Sequence, residues 1–296
     1  MVNLSAPIDV ERCKKWGFLR YYLPVYTDII SNNFPTFYYI DPMAGPGTKE
    51  SCIGMRPGSP IVALKARDKY HPFTNYILSD LNFSSELAAE IDKFFRTHSP
   101  VKTRHKVGEK VEEMTVPREN VQILSKDVSA LVSEDLSRIS DRNPCFIFLD
   151  PEGISEIPWD TVVQPCIQRK HTEVLLLYCT RGVTGCVGDI KSHPTLDAFF
   201  GNTEWRSLLG GEDCAEKLVA HYMGNVQKHK KHVFQTEPIK NVRNTEVYRL
   251  IFATDNPTAK KLWEKHTLSR VNELYKENEH RKWLNQTIGR RLSEWF

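Results

Sequence analysis

Short apolar, β-rich runs alternate with helical stretches through the first 180 residues, and this alternation constrains the chain more than any other feature. The runs lie at 37–41, 76–80, 121–125, 145–150 and 174–179, and between them the spacing predicts helices near 59–70, 84–97, 128–139 and 158–170. Strands that alternate with helices build a parallel sheet covered on both faces. The near-continuous apolar character of Phe146-Ile147-Phe148-Leu149 and Val174-Leu175-Leu176-Leu177 suits central strands buried on both sides. The expected fold class is therefore α/β, with a doubly wound, mostly parallel sheet.

The flanks follow the same logic. Residues 10–31 read as an amphipathic helix, with Trp16, Leu19, Leu23, Tyr26 and Ile30 at three- and four-residue spacing and a bend at Pro24. Later strands are expected at 233–237 and 247–253. Asn256-Pro257 then reads as an N-cap followed by proline at the first helical position, opening a helix that turns Leu262, Leu268, Val271, Leu274 and Tyr275 inward. Residues 98–120 are polar and poorly patterned and read as a loop inserted before the third strand. A chain of 296 residues with 40% hydrophobic content can bury a large core. One domain over 1–296 is expected: an N-terminal helix 10–31, a sheet core 37–255 and a basic helical C-terminal extension 256–296.

Composition narrows the function classes. No apolar run approaches the ~20 residues of a membrane span, and residues 1–12 lack a signal pattern, so a cytoplasmic protein is expected. Seven cysteines, none spaced as C-x-x-C, argue against a disulfide framework or a metal cage. Cys145 and Cys179 sit inside apolar runs and read as buried packing residues. Residues 226–296 carry 15 Lys/Arg against 8 Asp/Glu, while residues 1–225 carry 25 against 29. The basic part, including Lys228-His229-Lys230-Lys231-His232, can face nucleic acid or form a solvated surface.

Four motifs carry chemistry. In Tyr39-Ile40-Asp41-Pro42-Met43-Ala44-Gly45-Pro46-Gly47 an apolar strand runs into a glycine turn, either a ligand loop at the carboxyl end of a strand or an ordinary tight turn. It departs from the G-x-G-x-x-G of nicotinamide enzymes. Asp80 ends the second run, where an acid can accept from ribose hydroxyls or serve as a helix N-terminal acid. Asp127 follows the third run and can accept from an adenine amino group or cap a helix. Phe146-Ile147-Phe148-Leu149-Asp150-Pro151-Glu152-Gly153 is the most specific motif. An apolar strand ends in Asp-Pro with a second carboxylate beside it, an arrangement suited to orienting an amine nitrogen. Arg56, Arg181 and Lys191 lie in segments near the same edge and are candidates for an anionic substrate.

In order along the chain, YIDPMAGPG, GSP at 58–60, FLDPEG, FGNTEWR at 200–206 and YRLIFATD at 248–255 resemble the three-Cys-motif partner family, TcmP, from about Lys14 to about Lys265. The resemblance implies a class I S-adenosylmethionine-dependent methyltransferase with a seven-stranded sheet whose last strand is antiparallel. It implies cofactor binding by Asp41, Ala44, Gly45 and Gly47, with Asp80 and Asp127 on the adenosine. Asp150, Pro151 and Glu152 would face the acceptor, an exocyclic amine of a base in RNA or DNA. It also implies a partner protein with three clustered cysteines that looks like a radical S-adenosylmethionine protein. Glu152 stands where the family pattern has an aromatic before the glycine, so base stacking from this loop is not expected. The alternative is a methyltransferase-like module that binds nucleic acid or a partner without turnover.

Overall fold

The structure, a computed structural model, describes residues 10–51, 54–65, 72–98, 103–107, 110–114, 116–241 and 244–263. Its strands are β1 (Tyr38–Asp41), β2 (Thr48–Ser51), β3 (Gly54–Pro57), β4 (Asn75–Ser79), β5 (Thr103–Val107), β6 (Lys110–Met114), β7 (Val121–Leu124), β8 (Cys145–Leu149), β9 (Thr172–Tyr178), β10 (His232–Gln235), β11 (Ile239–Lys240) and β12 (Glu246–Thr254). The helices are α1 (Val10–Ser31), α2 (Ser59–Lys65), α3 (Ser84–Thr97), α4 (Val128–Ala130), α5 (Gln164–Gln168), α6 (Thr180–Val187), α7 (His193–Phe200), α8 (Cys214–Gln227) and α9 (Pro257–Leu262). The helix expected over 128–139 changes pitch along its length: α4 passes into a π-helical turn and then a 3-10 turn ending at Arg138.

The main sheet runs β10-β12-β9-β8-β1-β4-β7, with β11 beside β12. Strands β7, β4, β1, β8 and β9 pair parallel, and β12 runs antiparallel to both β9 and β10. This is the doubly wound, mostly parallel seven-stranded sheet with an antiparallel last strand, the class I methyltransferase arrangement. Chain order reverses at β1, which has β4 on one side and β8 on the other. That reversal opens a crevice at the carboxyl ends of the strands.

Alternation along the strands divides the core in two. Tyr39, Phe146, Phe148, Leu175, Leu177, Leu250 and Phe252 face Phe18, Leu19 and Tyr22 of α1, Ile61 of α2 and Leu87 of α3. Ile40, Ile147, Leu149, Val174, Leu176 and Ile251 face Val183 of α6, Phe199 of α7 and Tyr222 of α8. The inward stripe of α1 is Phe18, Leu19, Tyr22, Leu23 and Tyr26. Trp16 and Ile30, expected inward, are only half-buried. Asn256 caps α9 as expected, its side chain accepting the Thr258 N–H at 2.9 Å. Leu268, Val271, Leu274, Tyr275 and most of the basic extension lie outside the described residues.

Two hairpins lie outside the main sheet, one of them in the segment that reads as a loop. Residues 48–57 fold as β2–β3, and the 98–120 insertion contains β5–β6. Each ribbon pairs only with itself, apart from the main sheet, and its strands show no apolar alternation in the sequence. The register of β5–β6 sets Arg104 opposite Glu113.

Gly201 ends α7 with φ +69°, and a Cβ there would sit 2.4 Å from Trp159 Cδ1 and 2.5 Å from Cγ. Gly201→Ala is therefore expected to cost about 2–4 kcal/mol, read as a lowered urea midpoint at unchanged slope.

At the opposite end of the sheet from the crevice, Glu173 is buried and accepts from the Tyr22 hydroxyl at 2.6 Å and the Thr254 hydroxyl at 3.1 Å. Burial pushes its carboxyl up to about 7 from an ordinary value of 4.5, against the pull of those hydroxyls and of Lys230. Below the ordinary value both folded and unfolded chains hold the proton. Between the two values only the folded chain does, so stability falls as pH rises through that window. Glu173→Gln is expected to remove up to about 3 kcal/mol of this pH dependence, measured as urea midpoints on both sides of the window. The basic stretch lies at this same end. Lys230 is buried, donating to the Arg169 carbonyl at 2.9 Å and Asp255 Oδ2 at 3.0 Å, so its charge serves the fold.

Candidate functional site

The glycine turn after β1 is fixed by backbone contacts. Gly45 and Gly47 have φ of +61° and +80°, left-handed values that glycine adopts without strain. A Cβ on Gly47 would stand 3.2 Å from Leu87 Cδ1, and one on Gly58 would stand 2.9 Å from the Gly47 carbonyl oxygen. The Gly58 N–H donates to that oxygen at 2.6 Å, and the Ala44 N–H donates to the Ser79 carbonyl at 2.9 Å. The β2–β3 hairpin thus returns the chain against the turn and delivers Ser59 to the start of α2.

Asp80 ties this turn to the next one. Its Oδ2 accepts the Gly45 N–H at 2.9 Å, and its Oδ1 accepts the N–H groups of Asn82 and Phe83, each at 2.9 Å. Of the roughly four acceptor positions on a carboxylate, backbone donors take three. Asp80 therefore organises the loops and still lines the crevice. Leu81 and Phe83 follow it and are 58% and 42% exposed, both on the crevice wall. They were missed in the sequence; the available signal was an apolar pair placed beyond the acid that ends the strand. Asp127 caps the next helix, its Oδ1 accepting the Ala130 N–H at 2.9 Å, and it also lines the crevice.

Asp41 lies beneath the wall. It is fully buried and is the one expected cofactor residue that does not line the crevice. Its Oδ2 accepts from the Tyr39 hydroxyl at 3.2 Å, while Oδ1 has no hydrogen-bond partner among the described residues. Burial raises its carboxyl to about 7; Ser59, Tyr39 and the Met43 N–H pull it down, and the nearby Asp150 adds to the rise.

Asp150, Pro151 and Glu152, which follow β8, line the same crevice beside the glycine turn. Asp150 Oδ2 accepts from Lys15 Nζ at 2.5 Å, with side chains 16% and 14% exposed. Lys15 and Trp16 project from the first turns of α1 into the crevice, a contribution missed in the sequence because a lysine at the start of an amphipathic helix reads as solvated. Glu152 is exposed, and its N–H donates to Glu156 Oε2 at 2.8 Å. Cys179, expected as core packing, is half-buried, lines the crevice and accepts the Gly182 N–H at 3.3 Å. Arg181 and Lys191 are exposed and do not line the crevice, and the Arg56 side chain lies outside the described residues.

The glycine turn and Asp150 open onto one crevice of about 750 Å³. Gly45 and the Asp-Pro pair share it. No family model matches the chain, and no curated protein matches it. Among solved structures, protein LPL1258 from Legionella pneumophila, of the family DUF519, is 11% identical over 85% of this chain and 87% of its own, with a TM-score of 0.47. Rv0187 from MTB, solved with cofactor bound, is 10% identical over 82% and 81%, with a TM-score of 0.40. SMU.1697c from Streptococcus mutans, a candidate methyltransferase solved with S-adenosylhomocysteine, is 9% identical over 74% and 89%, with a TM-score of 0.35. At these scores the likeness carries no argument, and the fold assignment rests on the strand order.

The crevice also fits the cofactor that such a sheet implies. Its volume lies within the roughly 300–1,000 Å³ usual for ligand sites. The walls carry five carboxylates, Asp80, Asp127, Asp150, Glu152 and Glu156, against Lys15 and Lys126. Both lysines are paired, Lys126 with Glu134 and Asp135. A cationic sulfonium with an ammonium group suits such walls. Among the described residues no helix is long and apolar enough to cross a membrane, and no cluster of side chains could hold a metal ion.

Proposed function

We propose that this protein is an S-adenosylmethionine-dependent methyltransferase acting on an exocyclic amine of a base in nucleic acid. One observation carries the reading: the glycine turn of β1 and the Asp150-Pro151 end of β8, which leave neighbouring parallel strands, line a single crevice. The cofactor supplies an electrophilic methyl group on a sulfonium. Ala44, Gly45 and Gly47 would hold its amino-acid end, Asp80 and Asp127 its adenosine, and Leu81 and Phe83 the faces of its adenine ring. The buried Asp41 would set the charge under the turn.

Asp150 accepts hydrogen bonds from the acceptor amine and aims the nitrogen lone pair. Pro151, without an N–H, adds no competing donor there. Methyl transfer is an in-line displacement, so positioning is the main contribution these residues make. Glu152 cannot stack on a base, but its carboxylate can accept from an edge that presents N–H groups. Phosphates would meet the protein outside the acidic crevice, at cost-free distance from its carboxylates. Mass spectrometry of nucleosides from cells with and without the protein tests the base assignment. One methylated base is expected to disappear with the protein, and unchanged nucleosides would contradict it.

A further inference from the structure

We propose that Lys15 is itself a methyl acceptor, an Nζ-methylation site inside the crevice of its own chain. The inference rests on the cofactor reading above and adds a second substrate to it. Asp150 is the carboxylate assigned to an acceptor nitrogen, and the nitrogen it holds is Lys15 Nζ, at 2.5 Å. Lys15 and Gly45 line the same crevice. The amine therefore stands where an acceptor belongs, on the carboxylate that would orient it.

Lys15 is also held there by the fold. Its helix is anchored within two turns by Phe18, Leu19 and Tyr22, all buried, with Tyr22 bonded to Glu173 of β9. Phe18 packs on Trp263 with ring centroids 4.5 Å apart. Much of the orientational cost of bringing an amine to the site is met when the chain folds. Lys126, the other crevice lysine, is bound by Glu134 and Asp135, neither of which lines the crevice.

The reaction balances as a simple displacement. The Lys15 ammonium first releases a proton to water. The freed lone pair attacks the methyl carbon, the carbon–sulfur bond breaks, and its electron pair stays on sulfur. The products are S-adenosylhomocysteine and a methyllysine that emerges already cationic, with two N–H groups that can keep its bond to Asp150. The reaction is slow near neutrality and accelerates as pH rises.

The test uses the full-length protein incubated with S-adenosylmethionine at about pH 7 and about pH 9, followed by intact-mass measurement and peptide mapping. One added methyl is expected on Lys15, faster at the higher pH, absent in Lys15→Arg and suppressed about tenfold or more in Asp150→Asn. A binding measurement without turnover gives a second readout. Lys15→Met leaves the Asp150 carboxylate unpaired beside the cofactor, so the variant is expected to shift binding toward S-adenosylmethionine over S-adenosylhomocysteine about threefold or more relative to the wild type. Mapping of the wild-type chain stands even if a variant misfolds. S-adenosylhomocysteine binding with no methyl on Lys15, or methyl incorporation that survives Lys15→Arg, overturns this inference and leaves the cofactor reading standing. Absence of S-adenosylhomocysteine binding overturns both.

Discussion

Asp150→Ala is expected to lower transfer of labelled methyl from S-adenosylmethionine to nucleic acid about 1,000-fold while changing S-adenosylhomocysteine affinity less than about threefold. The two readouts separate because Asp150 bonds none of the backbone groups of the glycine turn among the described residues. Its described partner is Lys15, so the substitution also leaves an ammonium without a counter-ion where the acceptor must enter. That repels a second developing positive charge on the attacking nitrogen and adds to the loss of orientation. Asp150→Asn keeps one acceptor oxygen and should retain more activity than alanine. Equal transfer by Asp150→Ala and wild type would remove Asp150 from the reaction. Cofactor binding with no transfer by the wild type to RNA, DNA or protein would instead favour a binding module.

Asp80→Ala is expected to act in the other readout, weakening S-adenosylhomocysteine binding about 100-fold or more. The carboxylate accepts the N–H groups of Gly45, Asn82 and Phe83 at once. A hydrogen bond to a charged group contributes about 1.5–3 kcal/mol, discounted here because Asp80 is half-exposed; a combined loss near 3 kcal/mol corresponds to about 100-fold. The geometry of the glycine turn, the course of Leu81 to Phe83 and the fourth acceptor position on the carboxylate disappear together. A drop in thermal midpoint should accompany the loss, since two loops are released. Calorimetry of the variant checks the affinity, and unchanged affinity would reduce Asp80 to an ordinary helix-terminal acid.

How far these walls were legible in the sequence depended on what each residue does besides chemistry. The sheet strands announced themselves because both faces of β8 and β9 are buried, which leaves unbroken apolar runs such as Val174-Leu175-Leu176-Leu177. Helices α6, α7 and α8 drew no assignment. Gly182 and Gly185 interrupt the short first of these, and the other two are anchored largely by aromatic contacts such as Phe199 against Tyr222. Asp127 stayed ambiguous because capping and adenine recognition both ask for an acid at a strand end followed by a helix, and the cap alone is visible in the fold. Asp80 proved to have a structural task that no pattern revealed, since its tie to Gly45 spans 35 residues. Lys15 was invisible for a related reason. It is brought to Asp150 across 135 residues by the docking of α1, and only the packed chain shows that a helix-end lysine points inward.

The claim beneath all of this is that the crevice between Gly45 and Asp150 binds S-adenosylmethionine. Isothermal titration of the protein with S-adenosylhomocysteine tests it most directly. The account predicts saturable binding at one site per chain, with a raised thermal midpoint in excess ligand. Neither heat nor thermal stabilisation at millimolar ligand would contradict it.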